Sequence, residues 1–324
     1  MSKLMQPLSW PVVEFVVRLV KYCRKYPVVP GFMAVPLILY AVFVISPFVQ
    51  SFYISLTDWS GFTAGKNFVG LRNYDKMIHD DVFWTALRNN VIILVLLPVI
   101  TLTLGLFFSF MLNVGGRRRD GAVTGVRGSA FYKVVFFFPQ VLSITIIAVL
   151  WEFIYNPNSG ALNSTLNGIG LGFLKHSWLA DPSLALGSLL VVMVWANVGF
   201  YVVLFSAAMS SVPNDIYEAV LLDGANRFTT FFRITFPLIW DSVQAAWVYL
   251  GIIAMDSFVF VVVMTTGPGG PDHATTVISY YLYQMAFQNS QAGYATAMGV
   301  AMLVVTLLFA GLMSRLSRRE RIEY

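Results

Sequence analysis

Six apolar stretches alternate with polar intervals along the chain: Phe32 to Ile54, Val91 to Leu112, Val134 to Tyr155, Leu184 to Met209, Val243 to Met264, and Thr296 to Met313. Each is near the ~20 residues that a helix needs to cross a hydrocarbon core, and none contains Lys or Arg. Pro36, Pro47, Pro98 and Pro139 lie inside them; neighbouring helices can satisfy the carbonyls that prolines free. The stretch from Leu8 to Tyr26 is apolar but interrupted. Glu14, Arg18, Lys21 and Lys25 recur there at helical spacing as one polar stripe, which suits an amphipathic helix lying in the membrane interface. No small-residue cleavage site follows it, so it does not read as a signal peptide. The pattern predicts an all-α polytopic membrane protein with six transmembrane helices. Residues 1–29 form an interfacial N-terminal segment and residues 30–324 the transmembrane domain.

Composition agrees. The chain is 57% hydrophobic and 11% charged, against about 25% charged residues in a soluble domain. One cysteine, Cys23, excludes an internal disulfide. Charge sets the orientation, because Lys and Arg collect in cytoplasmic loops. With the N-terminus inside, the cytoplasmic side holds Lys3, Arg18, Lys21, Arg24, Lys25, Arg117, Arg118, Arg119, Arg127, Lys133, Arg227, Arg233, Arg315, Arg318, Arg319 and Arg321. The outside holds Lys66, Arg72, Lys76, Arg88 and Lys175. Sixteen of the 21 basic residues then lie inside. Both termini are therefore expected in the cytoplasm, together with the long polar interval 211–237.

That interval reads as two short helices. Pro213 suits a first helical turn, and Asn214, Asp215 and Glu218 put polar and negative groups near the positive helix start. Ile216, Tyr217, Val220 and Leu221 share one face. Gly224 fits the left-handed position just past a helix end. Asn226 can cap a second helix carrying Phe228, Phe231 and Phe232, and Phe236 before Pro237 disfavours further helix. By spacing alone this is an amphipathic loop on the membrane surface. At Glu218-Ala219, Asp223-Gly224-Ala225, Ile234 and Pro237, however, the interval resembles the cytoplasmic EAA loop of ABC-importer permeases. Val220 stands where the pattern has a second Ala, and Phe236 where it has Leu; both remain apolar.

The outer loops extend the resemblance. Phe68-Val-Gly-Leu-Arg-Asn-Tyr74, Tyr155-Asn-Pro-Asn-Ser-Gly-Ala-Leu-Asn163, and Gly267-Pro-Gly-Gly-Pro271 with Ala274-Thr275 look like periplasmic loops of the sugar-type permeases for maltose and glycerol 3-phosphate. The likeness runs from about Phe32 to the C-terminus. It implies a type I ABC importer permease fold in a bacterial or archaeal cytoplasmic membrane. It also implies that Glu218, Ala219, Asp223, Gly224 and Ala225 dock a cytosolic ATPase dimer. ATP and Mg are bound by that partner, with no cofactor in this chain. A second permease subunit, making a heterodimer, and an extracytoplasmic solute-binding protein complete the implied assembly, and a sugar or oligosaccharide is the implied cargo.

Within the spans, Asp256 is the one deeply placed ionisable residue, near the middle of Val243 to Met264. A central acid costs ~2.5–3.5 kcal/mol on insertion scales and faces protein or water. Asn197 lies near the middle of Leu184 to Met209, and Ser257 adjoins Asp256. Carboxylate, amide and hydroxyl suit sugar hydroxyls, and the nearby rings of Trp195, Tyr201, Trp247, Tyr249 and Phe258 suit sugar faces. The resemblance places substrate contacts on these two helices, so Asn197, Asp256 and Ser257 are candidate substrate residues. Two alternatives stay open: Asn197 as a helix–helix hydrogen bond, and Asp256 as a bond to the partner permease. Glu152, near the outer end of its span, can simply reach the interface.

Other chemistry is not signalled. Gly65-Lys66 is followed by Asn67 and is not a phosphate-binding loop. His79, His176 and His273 are far apart in outer loops, so no metal site is expected. Arg117-Arg118-Arg119 has the charge for nucleic acid or anionic lipid, but beside a span end it reads as a topology signal. The chain is expected to be a transport subunit rather than an enzyme. The alternatives are a permease for a non-sugar solute, an autonomous carrier or channel, and an intramembrane enzyme. Single-cysteine labelling checks the orientation. Cysteines at the Arg118 and Arg227 positions should react only from the cytoplasmic side, and reaction from outside overturns the topology.

Overall fold

The computed structural model describes residues 25, 28–63, 65–114, 116–117, 123–124, 126–265, 267 and 269–316. The polar-striped segment before Lys25, Arg118, Arg119 and the basic residues beyond Leu316 lie outside the described residues. The chain forms two compact units, Met1–Ile54 and Ser55–Tyr324.

In the first unit, helix α1 (Gly31–Ile54) is long and apolar enough to cross a membrane. It contains a π turn at Ala41–Ile45. The wide turn directly precedes Pro47, whose ring would strike the carbonyl four residues back in a regular helix. Large apolar side chains such as Phe32 and Phe43 are exposed within this unit.

The second unit is built of helices α2 (Arg72–Ile78), α3 (Asp81–Val114), α4 (Ser129–Val141), α5 (Ile144–Ile154), α6 (Ala161–Gly168), α7 (Ala185–Ser210), α8 (Asn214–Leu222), α9 (Arg227–Thr230), α10 (Trp240–Met255), α11 (Phe258–Met264), α12 (Ile278–Tyr283) and α13 (Ala292–Leu316). Among the described residues the β structure is the two-residue pair Gly116–Arg117 and Val123–Thr124 and an isolated antiparallel bridge between Thr57 and Phe68. Among the described residues four helices, α1, α3, α7 and α13, suffice in length and hydropathy to span a bilayer, or up to six if each of two sharply bent pairs is one span.

Helix α7 is the centre of the unit. Sixteen of its 26 residues are buried, with Leu189, Val192, Met193, Val202 and Phe205 wholly so. Helix α3 turns Ile93, Leu97, Leu102, Leu106 and Phe110 inward and leaves Val91, Val95, Val99 and Phe107 exposed. Both faces are apolar, as expected when one meets protein and the other lipid. Helix α4 crosses α7 at Gly199, where an added Cβ would lie 1.8 Å from the carbonyl oxygen of Phe136. Small residues permit such close backbone approach between membrane helices.

Two spans expected to be continuous are broken. Leu142 and Ser143 take extended backbone angles, and α4 and α5 meet at a bend of 96°. Pro139, one turn earlier, supplies no N–H for the helix, and Ser143 starts the next one; the Ile147 N–H donates to the Ser143 carbonyl. The other sharply bent pair is Arg227–Leu238 with α10, at 72°; the second interrupted stretch is broken further on, at Asp256 and Ser257 between α10 and α11.

Asparagines tie the outer loops down. The Asn73 amide donates to the carbonyls of Ser55 and Thr57, at 2.8 Å each. Asn163 donates to Pro157 and His176 carbonyls and accepts from Trp178 Nε1. Asn89 donates to the carbonyls of His273, Ala274 and Thr276, and Asn90 Oδ1 accepts from the Ile278 N–H.

Asp80 caps α3, with Oδ1 accepting from the N–H groups of Val82 and Phe83. Its Oδ2 accepts from the hydroxyls of Tyr281 and Tyr294. Burial alone would raise the pKa of this carboxyl, but these donors together hold it below the ordinary 3.8. A depressed folded-state value means stability that is present above the unfolded pKa and lost as pH falls through the folded one. Asp80→Asn should therefore lower Tm by a few degrees near neutral pH and flatten its decline below about pH 4, read by intrinsic fluorescence in detergent. An unchanged acid limb would remove Asp80 from that role.

Candidate functional site: an exposed loop and a broken helix

The interval 211–237 folds largely as its residues dictate. Helix α8 ends at Gly224, which has φ +74°. The Ala225 N–H donates to the Val220 carbonyl at 3.2 Å, closing the six-residue ring of a glycine-ended helix. An added Cβ at Gly224 would meet nothing within 4 Å, so glycine is required by backbone angle and not by crowding. Asn226 Oδ1 accepts from the Thr229 N–H at 2.8 Å and caps α9. One local expectation fails. Phe236 keeps helical angles, and helix continues to Leu238 before the chain turns at Ile239. A π turn over Phe231–Thr235 displaces the carbonyls that the Pro237 ring would strike.

The loop has an anchored side and a free side. Tyr217 and Val212 are buried. Phe231 stacks edge-on against Phe110 of α3, with ring centroids 4.8 Å apart. Glu218, Ala219, Asp223 and Gly224 are exposed, and Ala225 is half-buried. Leu222 is 90% exposed and Phe228 78%. Two apolar tips set among Glu218, Asp223 and Arg227 have the composition of a protein-docking patch.

The other candidate residues separate. Asp256 is exposed at the end of α10, and its N–H donates to the Ile253 carbonyl. Among the described residues, no Lys or Arg forms an ion pair with it. Ser257 is wholly buried, and its hydroxyl donates to the Ala254 carbonyl at 2.7 Å. Asn197 is buried, and its amide donates back to the Met193 carbonyl of its own helix at 2.8 Å. No hydrogen bond joins Asn197 to Asp256 among the described residues.

Of the nearby rings, Tyr201 is buried in the core, while Trp195 and Tyr249 are exposed at 37% and 55%. Trp195 packs edge-on to Trp151. The sequence reading missed a polar junction of three helices: Lys133 Nζ donates to Asn113 Oδ1, and Asn113 Nδ2 donates to Ser206 Oγ. Asn113 and Lys133 flank the Arg117–Arg119 loop, the one available signal.

The site thus comprises a bundle of apolar helices, one broken at a carboxylate, and an exposed two-helix loop. Residues 26–322 match the family of binding-protein-dependent transport system inner membrane components, and the chain belongs to that family. It is 46% identical over 289 residues to the diacetylchitobiose uptake system permease protein NgcF of Streptomyces coelicolor, covering 89% of this chain and 81% of that one. It is 30% identical to the multiple sugar-binding transport system permease protein MsmF of Streptococcus mutans, over 89% and 94% of the two chains. A crystal structure of a bacterial ABC transporter involved in import of the acidic polysaccharide alginate matches with a TM-score of 0.77 at 22% identity. That match covers 94% of this chain and 99% of the other, and it shows the shared fold. The chain is a multi-pass permease subunit of a sugar ABC importer.

Gly224→Val tests the loop. Forcing a branched residue into a left-handed conformation costs about 1–2 kcal/mol and tilts α8 against α9. Uptake in membrane vesicles should fall while the protein level and sugar-independent folding stay near normal. Full uptake would show that the angle at Gly224 is not used.

Proposed function

We propose that this permease moves an N-acetylated amino-sugar disaccharide of the diacetylchitobiose type past the break at Asp256. A solute-binding protein delivers the sugar from outside. A second permease subunit, distinct from this chain, completes the passage. A cytosolic ATPase dimer docks on Glu218, Ala219, Asp223, Gly224 and Ala225, and it alone binds ATP and Mg. Both termini face that cytosolic side.

The observation that carries the passage is the exposed carboxylate at a helix break in the fifth apolar stretch. A carboxylate only accepts hydrogen bonds, while sugar hydroxyls and acetamido N–H groups donate them. A hydrated passage also lowers the cost of a charge at that depth. The 46% identity to a diacetylchitobiose permease supports the choice of cargo. Exposed Trp195 and Tyr249 supply apolar ring faces of the kind sugars stack on.

Asp256→Ala should reduce diacetylchitobiose uptake about ten-fold or more in vesicles, the loss expected for hydrogen bonds to a charged group. Co-purification with the ATPase should not change. A variant that falls apart in detergent yet transports normally per assembled complex would assign Asp256 to the subunit contact instead. Thiol labelling of Asn197→Cys should be slowed by diacetylchitobiose during turnover; no protection removes Asn197 from the passage.

A further inference from the structure

The junction at Lys133 is not used by the transport reading. Its ammonium donates to Asn113 Oδ1 at 3.1 Å. That amide is fixed in turn by the Ser109 carbonyl at 2.6 Å and Ser206 Oγ at 2.8 Å. The cation is thus held where α3, α4 and α7 meet. Among the described residues it has no carboxylate within ion-pair distance. An ammonium carries three donors, so two remain for another acceptor.

Lys133 also lines one end of a groove of about 360 Å³, whose other walls are Val134, Phe137, Phe138, Val141 and Val203. Val134, Phe137, Phe138 and Val141 follow the i, i+3, i+4, i+7 spacing of one helix face. Val134, Phe138 and Val141 are 68%, 59% and 71% exposed. From Lys133 to Val141 the helix rises ~12 Å, enough to support the upper part of an acyl chain. The stripe holds no Gly, Ala, Ser or Thr, the residues that let a second membrane helix approach closely. The interval 113–133 carries Arg117, Arg118, Arg119, Arg127 and Lys133 against a single acid, Asp120.

We propose that this groove binds an anionic phospholipid, with its phosphate on Lys133 and an acyl chain along Val134, Phe137, Phe138 and Val141. Charge complementarity selects the headgroup, and the bulky apolar stripe selects a flexible chain over a packed helix. The site joins α4 to α3 and α7 close to the first break in the bundle, so an occupied groove braces the arm that leads into that break.

The intact transporter, reconstituted in nanodiscs of equimolar phosphatidylcholine and phosphatidylglycerol, provides the test. Native mass spectrometry counts the lipids retained. The wild type should retain phosphatidylglycerol in preference to phosphatidylcholine. Lys133→Gln, which keeps a donor for Asn113, should lower that retention about five-fold, the effect of one basic side chain near an anionic lipid. Lys133→Arg should preserve it. Val134→Trp, filling the groove from its exposed side, should lower retention with Lys133 intact. Equal retention of the two lipids by the wild type overturns the proposal. So does unchanged phosphatidylglycerol retention in Lys133→Gln or Val134→Trp. A photoreactive residue at Phe138 that labels the second permease subunit instead of lipid would overturn it as well.

Discussion

Inside a bilayer no water is at hand for a backbone N–H or C=O, so each must be satisfied within the protein. Regular helix meets that demand along most of this chain, and every departure from helix needs a local substitute. At Leu142–Ser143 the helix restarts with the Ile147 N–H on the Ser143 carbonyl. At Asp256–Ser257 the Ser257 hydroxyl takes the Ala254 carbonyl and the Asp256 N–H takes that of Ile253. At Phe231–Thr235 and Ala41–Ile45 a wider turn stands ahead of a proline. The bundle can afford bends because these substitutes are short and internal. Their positions matter for function, since a break leaves backbone polar groups at membrane depth.

The two ends of the second unit solve a different problem. On the side of α2, α6 and α12, polar loops are closed by side-chain amides and by Asp80. On the side of α8 and α9, the loop is anchored through Phe231 and Tyr217 while Leu222 and Phe228 point away. An exposed apolar tip is unfavourable in water unless it is covered, and the polar residues around it give a covering partner its register. One end is thus tied internally, and the other is left incomplete.

Much of this was legible because local chemistry decided it. Gly224 had to be left-handed and Asn226 had to cap, since nothing tertiary competes at an exposed loop. The apolar runs located the spans, because lipid-facing and buried positions are both apolar. For the same reason hydropathy could not show the breaks. Val134 to Tyr155 is predominantly apolar although α4 and α5 meet at 96°. Pro139 and Ser143 were the available hints. The burial of Ser257 and its bond to the Ala254 carbonyl were not legible either. Long-range pairs such as Asn89 with the 273–276 turn had no signature at all, and Lys133 with Asn113 had only the basic loop between them. They depend on the fold having already brought distant segments together.

The outer motifs can nevertheless be explained once the fold is known. Asn73 closes the first, Asn163 the second, and Asn89 reaches across to the third. Each is a neutral amide whose two N–H donors meet carbonyls in turns that have no ladder partner. A Lys or Arg would supply donors as well, but it would bring a charge to a semi-buried site beside the membrane, where desolvation is costly. An Asp or Glu would face those carbonyls with an acceptor. Asparagine is the short side chain that supplies donors without charge. Its second atom, Oδ1, stays available, as in the bond from Trp178 to Asn163. Asp80 is the exception that fits the rule: it faces two hydroxyls and two N–H groups, so a carboxylate is the matching partner there. The residue type at each position therefore follows from whether the loop presents carbonyls or donors.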